Sequence, residues 1–257
     1  MKSTCILVLI SATIYVSVYW NGLLAKDNAF SENGKQNTWV PTRHPAQENS
    51  PPQVKILMPE ADQVYTWGTQ VRYTINVSDV KDGESKYGEI NANEVLLEIT
   101  YLPVTKGGVM TEQIKKVQAT QEPRGLALIK KSTCFGCHAD KTRVAGPSFL
   151  EIAGKYEPSP EMIKTLGTHI VKGSSGIWGS MEMPAHPDFT QEEAKQIADY
   201  ILRQGANKYH WVYPGLEGAF RVIEKPENDS EGIYILTASY TNKTNVLGKH
   251  SVVLKIR

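Results

Sequence analysis

The chain has 257 residues, of which 40% are hydrophobic and 21% are charged. This length suffices for one large or two small globular domains. The formal net charge of +1 gives no reason to expect a nucleic-acid partner, because proteins that bind nucleic acid usually carry a clear basic excess.

An apolar segment follows Met1-Lys2. Residues 5–24 are interrupted by little more than Ser, Thr and one Asn, a pattern that is typical of a secretory signal. The segment is also close to the ~20 residues that a helix needs to cross a bilayer. Residues 1–25 are therefore predicted to be a signal peptide or an N-terminal membrane anchor.

Residues 26–52 are polar, rich in Asn, Gln, Ser and Pro, and show no sustained periodicity. Such a composition cannot bury enough apolar surface to form a core. We predict a flexible linker.

Apolar and polar residues alternate from residue 54 onward. Three runs show the pattern, at 54–58, 71–78 and 94–101, and each predicts a half-buried antiparallel strand. On the turn 79–88, Asp79 and Asp82 could bind calcium through their carboxylates, although a solvated turn is the alternative.

The same alternation returns at 232–240 and 250–256. These runs resemble the last two strands of an immunoglobulin-like sandwich. Three strands alone cannot close a sandwich, so we predict one immunoglobulin-like β domain in two parts, 53–118 and 210–257. The alternative is two separate β pieces, each of which would bury little.

Helical spacing replaces the alternation between the two β parts. A first helix is predicted at 125–129. Ser159 precedes a proline and opens a second helix, while Thr190 and Glu193 form the capping box of a third, which ends at Gly205. Residues 119–209 are predicted to form an all-α domain inserted in the sandwich.

The sequence Cys134-Phe135-Gly136-Cys137-His138 follows the first helix. Two thiols three positions apart, followed by an imidazole, match a c-type haem attachment site. Cys134 and Cys137 would add to the two vinyl groups of one haem, and His138 would bind its iron. A zinc site would need about four ligands, and the chain has only three cysteines.

Three stretches in this order resemble the small bacterial class I cytochromes c: Cys134 to His138, then Gly146-Pro147-Ser148-Phe149, then Gly173 to Pro184 with its Trp-Gly and Met-Pro pairs. The resemblance covers about a third of the chain. It implies one covalent haem c per chain.

The resemblance also implies roles for single residues. Met183 would be the distal iron ligand, the carbonyl of Pro147 would accept a hydrogen bond from the proximal histidine, and Trp178 would pack near the haem propionates. Gly125 and Tyr200 would mark the close crossing of the first and last helices.

Two neighbours compete with Met183 for the iron. Met181 lies two residues before it and His186 three residues after it, and either could reach the metal if the loop shifted. With His138 and Met183 as iron ligands, no open position remains for a substrate, so catalysis at the haem is not expected.

The arrangement as a whole also resembles secreted proteins of the Bacteroidetes in which an immunoglobulin-like segment and a cytochrome c accompany a quinoprotein dehydrogenase domain or a carbohydrate-binding module. The hypothesis is an exported electron carrier of the periplasm or cell envelope, with a dehydrogenase as donor and a respiratory acceptor as redox partners. Residues 5–24 could anchor it to the membrane.

Two other functions remain open. A carbohydrate- or surface-binding β module with a haem redox or sensor attachment would be supported if Tyr65 and Trp67 formed an exposed aromatic strip. A haem enzyme such as a peroxidase would need an open iron site.

Overall fold

Two β-sheets and a group of helices make up residues 50–104, 110–227 and 231–257, the part of the chain that the computed structural model describes. The predicted signal or anchor and residues 26–49 of the predicted linker lie outside this part. None of the described helices is long and apolar enough to cross a membrane.

Nine strands and five helices are described. The strands are β1 (Gln53–Met58), β2 (Val64–Tyr65), β3 (Gln70–Asp79), β4 (Gly83–Glu84), β5 (Leu96–Pro103), β6 (His210–Pro214), β7 (Glu217–Arg221), β8 (Gly232–Thr241) and β9 (Leu247–Ile256). The helices are α1 (Met110–Ala119), α2 (Arg124–Lys130), α3 (Phe149–Lys155), α4 (Pro160–Lys172) and α5 (Gln191–Gln204).

The five strands predicted from alternation are confirmed as β1, β3, β5, β8 and β9, and the three predicted helices are confirmed as α2, α4 and α5. Helix α1 differs from the sequence interpretation, which includes its residues in the first β part. Its half-buried Ile114 and Val117 have the i, i+3 spacing of one helix face, and the helix packs on β8.

Strands from before and after the helical segment share the sheets. In the first sheet, β3 pairs with β1 on one edge and with β4 and β7 on the other. The second sheet has the order β2-β9-β8-β5-β6. Leu97 of β5 lies opposite Ala238 of β8 and Tyr213 of β6. The chain therefore leaves the second sheet after β5, forms the helical segment, and re-enters the sheet as β6, which pairs with β5.

The first core lies between the two sheets. Alternate residues of β3, β5 and β8 meet there, which is the expected result of period-two side-chain orientation. Tyr65 and Trp67 pack partly buried against this core, and the rings of Trp67 and Tyr101 meet edge to face with 6.0 Å between centroids. These two residues do not form the exposed strip that carbohydrate binding would require.

The carboxylates of the turn after β3 are bonded within the protein. Asp79 accepts the backbone N–H of Lys81, and Asp82 accepts the Tyr240 hydroxyl at 2.8 Å and the Lys243 N–H at 2.9 Å. Within the described ranges, no group of three or more His, Cys, Asp or Glu side chains could hold a metal ion. These contacts close one end of the two-sheet unit, and they give no support to calcium binding.

A second core lies between the second sheet and the helices. Leu96 of β5 and Val212 of β6 belong to the same buried cluster as residues of α2, α4 and α5. On β8, Ile233 and Ile235 point away from the first core and are nevertheless buried, with Ile235 only 1% exposed. The second sheet is therefore covered on both faces, and the fold has three layers.

Polar contacts also join the helices to the second sheet. Lys130 of α2, whose side chain is 1% exposed, donates hydrogen bonds to Glu122 and to the Thr241 hydroxyl of β8. The buried carboxylate of Asp140 accepts the backbone N–H of Val212 at 3.1 Å. The helical segment is thus held at both β6 and β8.

The outward-facing side chains of β8 provide a test of the three-layer arrangement. Replacing Ile235 with Ala should lower the free energy of unfolding by about 2–5 kcal/mol, because it opens a cavity on this buried face of the sheet. Urea unfolding measures the loss. Leu57→Ala at an exposed position of β1 (46% exposed) is the control, and similar losses in both variants would show that the outer face of β8 is not a core surface.

The buried ion pair provides a second test. Lys130→Met leaves the Glu122 carboxylate buried without its cation, which should cost about 3–5 kcal/mol of stability. Lys115→Met removes the exposed Lys115–Glu112 pair and should change stability by less than about 1 kcal/mol. Urea unfolding measures both variants. A loss of stability in Lys130→Met as small as that in Lys115→Met would contradict the conclusion that the Lys130–Glu122 pair is buried at the junction.

Candidate functional site

One cavity in the helical segment is lined by all six residues that the sequence assigns to a cofactor: Cys134, Cys137, His138, Pro147, Trp178 and Met183. Its empty volume, which includes open solvent at its mouth, is about 1240 Å³. Every lining residue falls within 133–201, so none of the described strands contributes to it.

The His138 ring is oriented by the backbone that follows it. Its Nδ1 lies 2.6 Å from the carbonyl oxygen of Pro147. Because a carbonyl only accepts, Nδ1 carries the proton and donates, which leaves the Nε2 lone pair available to a metal. Gly146 packs against the ring so closely that a Cβ at this position would lie 2.6 Å from Cε1 of His138.

The two cysteines are free thiols in the turn after α2. Cys134 is half-buried, and burial raises the pKa of its thiol. Cys137 is exposed. The backbone N–H of His138 donates to the Cys134 carbonyl at 2.9 Å, so this turn fixes the imidazole relative to both thiols.

Met183 lies on the loop between α4 and α5, where two hydrogen bonds fix its backbone. Its N–H donates to the Ser174 carbonyl at 2.8 Å, and the Ser174 N–H donates to the Met183 carbonyl at 3.1 Å. Gly173 has a φ of +78° and lies so close that its Cβ would be 2.8 Å from the Met183 carbonyl oxygen. The Met183 side chain is half-buried against the helical core.

Both residues that compete with Met183 line the same cavity. Met181 is 62% exposed. The N–H of His186 donates to the Ile170 carbonyl at 3.0 Å, and its ring lies 6.3 Å from the Phe189 ring. The structure therefore brings all three candidates to one site, where Met183 and His186 are half-buried and Met181 is exposed.

Cations that the sequence analysis did not identify surround Trp178. Lys155 Nζ lies 4.3 Å from the centroid of a Trp178 ring, and the Arg143 guanidinium carbon lies 5.8 Å from one. Arg143 is held by Glu151, which also caps α3. No motif contains Arg143 or Lys155, and only the fold brings them to Trp178.

His169 also lines the cavity. It lies in the last turn of α4. The expected close crossing of helices is present, since a Cβ on Gly125 would lie 2.6 Å from that of Tyr200.

The cavity wall is otherwise mainly apolar and includes Phe149, Ile152, Leu166, Ile170, Ile197, Ala198 and Ile201. An apolar cleft with a few placed polar groups is the usual form of a cofactor site. Two thiols, an imidazole with a free Nε2 and a thioether are donors that suit a covalently attached haem. The residues present therefore fit the predicted cofactor.

Comparison with known proteins gives matches in this segment. Residues 120–201 match the family model described as cytochrome c oxidase, cbb3-type, subunit III. Cytochrome c-552 of Nitrosomonas europaea is 40% identical over 75 residues, which cover 29% of this chain and 73% of the relative. Cytochrome c-551 of Ectopseudomonas mendocina is 37% identical over 78 residues, covering 30% and 94%.

Among solved structures, wild-type Nitrosomonas europaea cytochrome c552 is similar. It is 39% identical, with coverage of 30% of this chain and 95% of that one, and the TM-score is 0.29.

The contact between Gly146 and His138 can be tested directly. Gly146→Ala should lower the free energy of unfolding by about 1–3 kcal/mol, because the added methyl group overpacks against the imidazole. Gly154→Ala is the control, since a Cβ there meets nothing within 4 Å and alanine favours α3 by up to about 1 kcal/mol. Equal stability of the two variants in urea unfolding would contradict the close packing.

Proposed function

Because residues 120–201 make this chain a member of the cytochrome c family, we propose that it carries single electrons in the cell envelope from a dehydrogenase to a respiratory acceptor. The chain is an electron-transfer haem protein, and its cofactor is haem c. The observation that carries the proposal is the single cavity in which two thiols, an oriented imidazole and a methionine converge.

The proposed roles follow from the chemistry of these side chains. Cys134 and Cys137 would hold the haem through thioether bonds, and His138 would bind the iron through Nε2 while Nδ1 donates to Pro147. When bound, the haem supplies a one-electron iron couple. The protein's own contribution is to fix the ligands and exclude water from the apolar wall.

Met183 is the proposed distal ligand. Its half-buried side chain supports this choice over the exposed Met181. Its position before Pro184, as in the class I cytochromes c that this segment resembles, supports it over His186. With His138 and Met183 both bound to it, the iron would have no position left for a substrate. This supports an electron carrier over a peroxidase.

Trp178, Arg143 and Lys155 are proposed to lie beside the haem carboxylates. Two cations next to an indole N–H offer charge-assisted hydrogen bonds to carboxylates. Their contacts with Trp178 support this role.

We further propose that the β unit is an immunoglobulin-like sandwich formed by 53–118 and 210–257, with the cytochrome domain at 119–209. Its support is the element order, in which β3 and its partners form one sheet and β9, β8, β5 and β6 the other. The Tyr234 hydroxyl accepts the backbone N–H of Ile223 at 3.0 Å, similar to the tyrosine corner of such domains.

Export is proposed from the N-terminal sequence alone. Residues 1–25 have the pattern of a signal peptide or anchor, and they lie outside the described residues. Proteins that exchange electrons usually meet through small, transient contacts, so the donor and acceptor are expected to bind weakly.

The proposed ligand set predicts a spectroscopic change. In haem-loaded protein, Met183→Ala should abolish the far-red sulfur-to-iron absorption band and allow the reduced protein to bind carbon monoxide, because an axial position opens. Met181→Ala is the matched control and should retain the wild-type spectrum.

If Met181→Ala lost the band and Met183→Ala kept it, Met181 would be the iron ligand. Carbon monoxide binding by the wild type at neutral pH would favour the haem-enzyme alternative. If both Met183→Ala and Met181→Ala kept the wild-type spectrum, neither methionine would be the ligand, and His186 would be the remaining candidate.

A further inference from the structure

Glu98 is a largely buried carboxyl group at the junction between the second sheet and the helices, and the electron-carrier function does not use it. Glu98 of β5 points toward the helices, as its neighbour Leu96 does two residues earlier. Its side chain is 16% exposed. Among the described residues, no hydrogen-bond donor serves its carboxylate, and His210 Nε2 lies 3.6 Å away.

The cations that face Glu98 are mostly engaged elsewhere. Lys130 of α2 donates to Glu122 and Thr241. Lys249 of β9 donates to the Thr120 carbonyl. Ionised Glu98 and Glu122 therefore place two negative charges around the buried Lys130.

Two further neighbours, His210 and Tyr200, are neutral at physiological pH, although the charges of Lys141 and Asp140 act on them. Burial lowers the pKa of His210 on β6 to about 4, and burial raises the pKa of Tyr200 on α5 well above its ordinary value. Burial, reinforced by the Glu122 charge and opposed by Lys249 and Lys130, raises the pKa of Glu98 to about 7. Glu98 thus binds a proton within the physiological range, whereas an ordinary glutamate does not.

Helix α5 separates this carboxyl group from the haem cavity. Ile197, Ala198 and Ile201 of α5 line the cavity, and the charge of Glu98 acts on Tyr200 of the same helix. An α-helix with its side chains is about 10–12 Å across. A charge added in the cavity therefore acts on Glu98 through protein interior, where salt screens it weakly.

We propose that Glu98 is a redox-linked proton-binding site, which takes up a proton when the haem is reduced and releases it when the haem is oxidised. The proposal rests on the electron-carrier function. An electron enters from an external one-electron donor, and a proton from the solvent forms an O–H bond with the Glu98 carboxylate. Oxidation returns the electron to the acceptor and the proton to the solvent.

The expected coupling is moderate. For charges separated by roughly 15 Å at an effective dielectric constant of about 20, Coulomb's law gives proton binding on the order of fivefold tighter in the reduced state. The reduction potential should then fall as pH rises through the range in which Glu98 ionises.

The test is the reduction potential of haem-loaded protein between pH 5 and 9. The wild type should show a decline centred near neutral pH, and Glu98→Gln, which cannot ionise, should lose it. Glu112→Gln, at an exposed acid of α1 (78% exposed side chain), should keep the wild-type profile. An unchanged decline in Glu98→Gln would overturn the proposal and assign the titration to another group, such as the haem carboxylates.

An infrared measurement on the wild type covers the case in which Glu98→Gln does not fold. The reduced-minus-oxidised difference spectrum at pH 7 should show a gain in the protonated-carboxyl C=O stretch, shifted in deuterium oxide. No gain would overturn the proposal. In both experiments, failure of a reversible one-electron titration would count against the electron carrier itself, whereas a reversible but pH-independent potential would count against Glu98 alone.

Discussion

The pairing of β5 with two later strands is the constraint on which the rest of this structure depends. Along one edge β5 pairs with β8, and along the other it pairs with β6. Thr100 and His210 are 110 positions apart and lie opposite one another in the sheet. Since neighbouring strands are about 4.8 Å apart, the helical segment must begin and end almost at the same point.

The junction makes the helical segment part of the same body as the sheets. A domain tethered only at its ends usually moves relative to its neighbour. Here Leu96 and Val212 of the sheet share a buried cluster with the helices, and Lys130 and Asp140 make buried polar contacts to β8 and β6. Buried ion pairs add little stability, so the apolar contacts hold the layers together while the polar ones fix their orientation.

Local features of the sequence predicted much of the site, because they depend on neighbouring residues. The spacing of Cys134, Cys137 and His138 needs only one turn of backbone, and alternation reveals strands such as β3. Tertiary contacts that no recognised motif contains were not predicted. Arg143 and Lys155 contact Trp178 only in the folded protein. The burial of both faces of β8 depends on packing against other elements, which the alternation pattern of a strand does not predict.

The return of the chain to its starting point also bears on the order of folding. Closing a loop of some hundred residues carries an entropic cost that grows with loop length, and pairings between distant residues slow folding. A helical segment that is already compact shortens the effective loop between β5 and β6. The haem-binding segment thus brings β6 back beside β5, and its thiols precede the last strands, β8 and β9, along the chain.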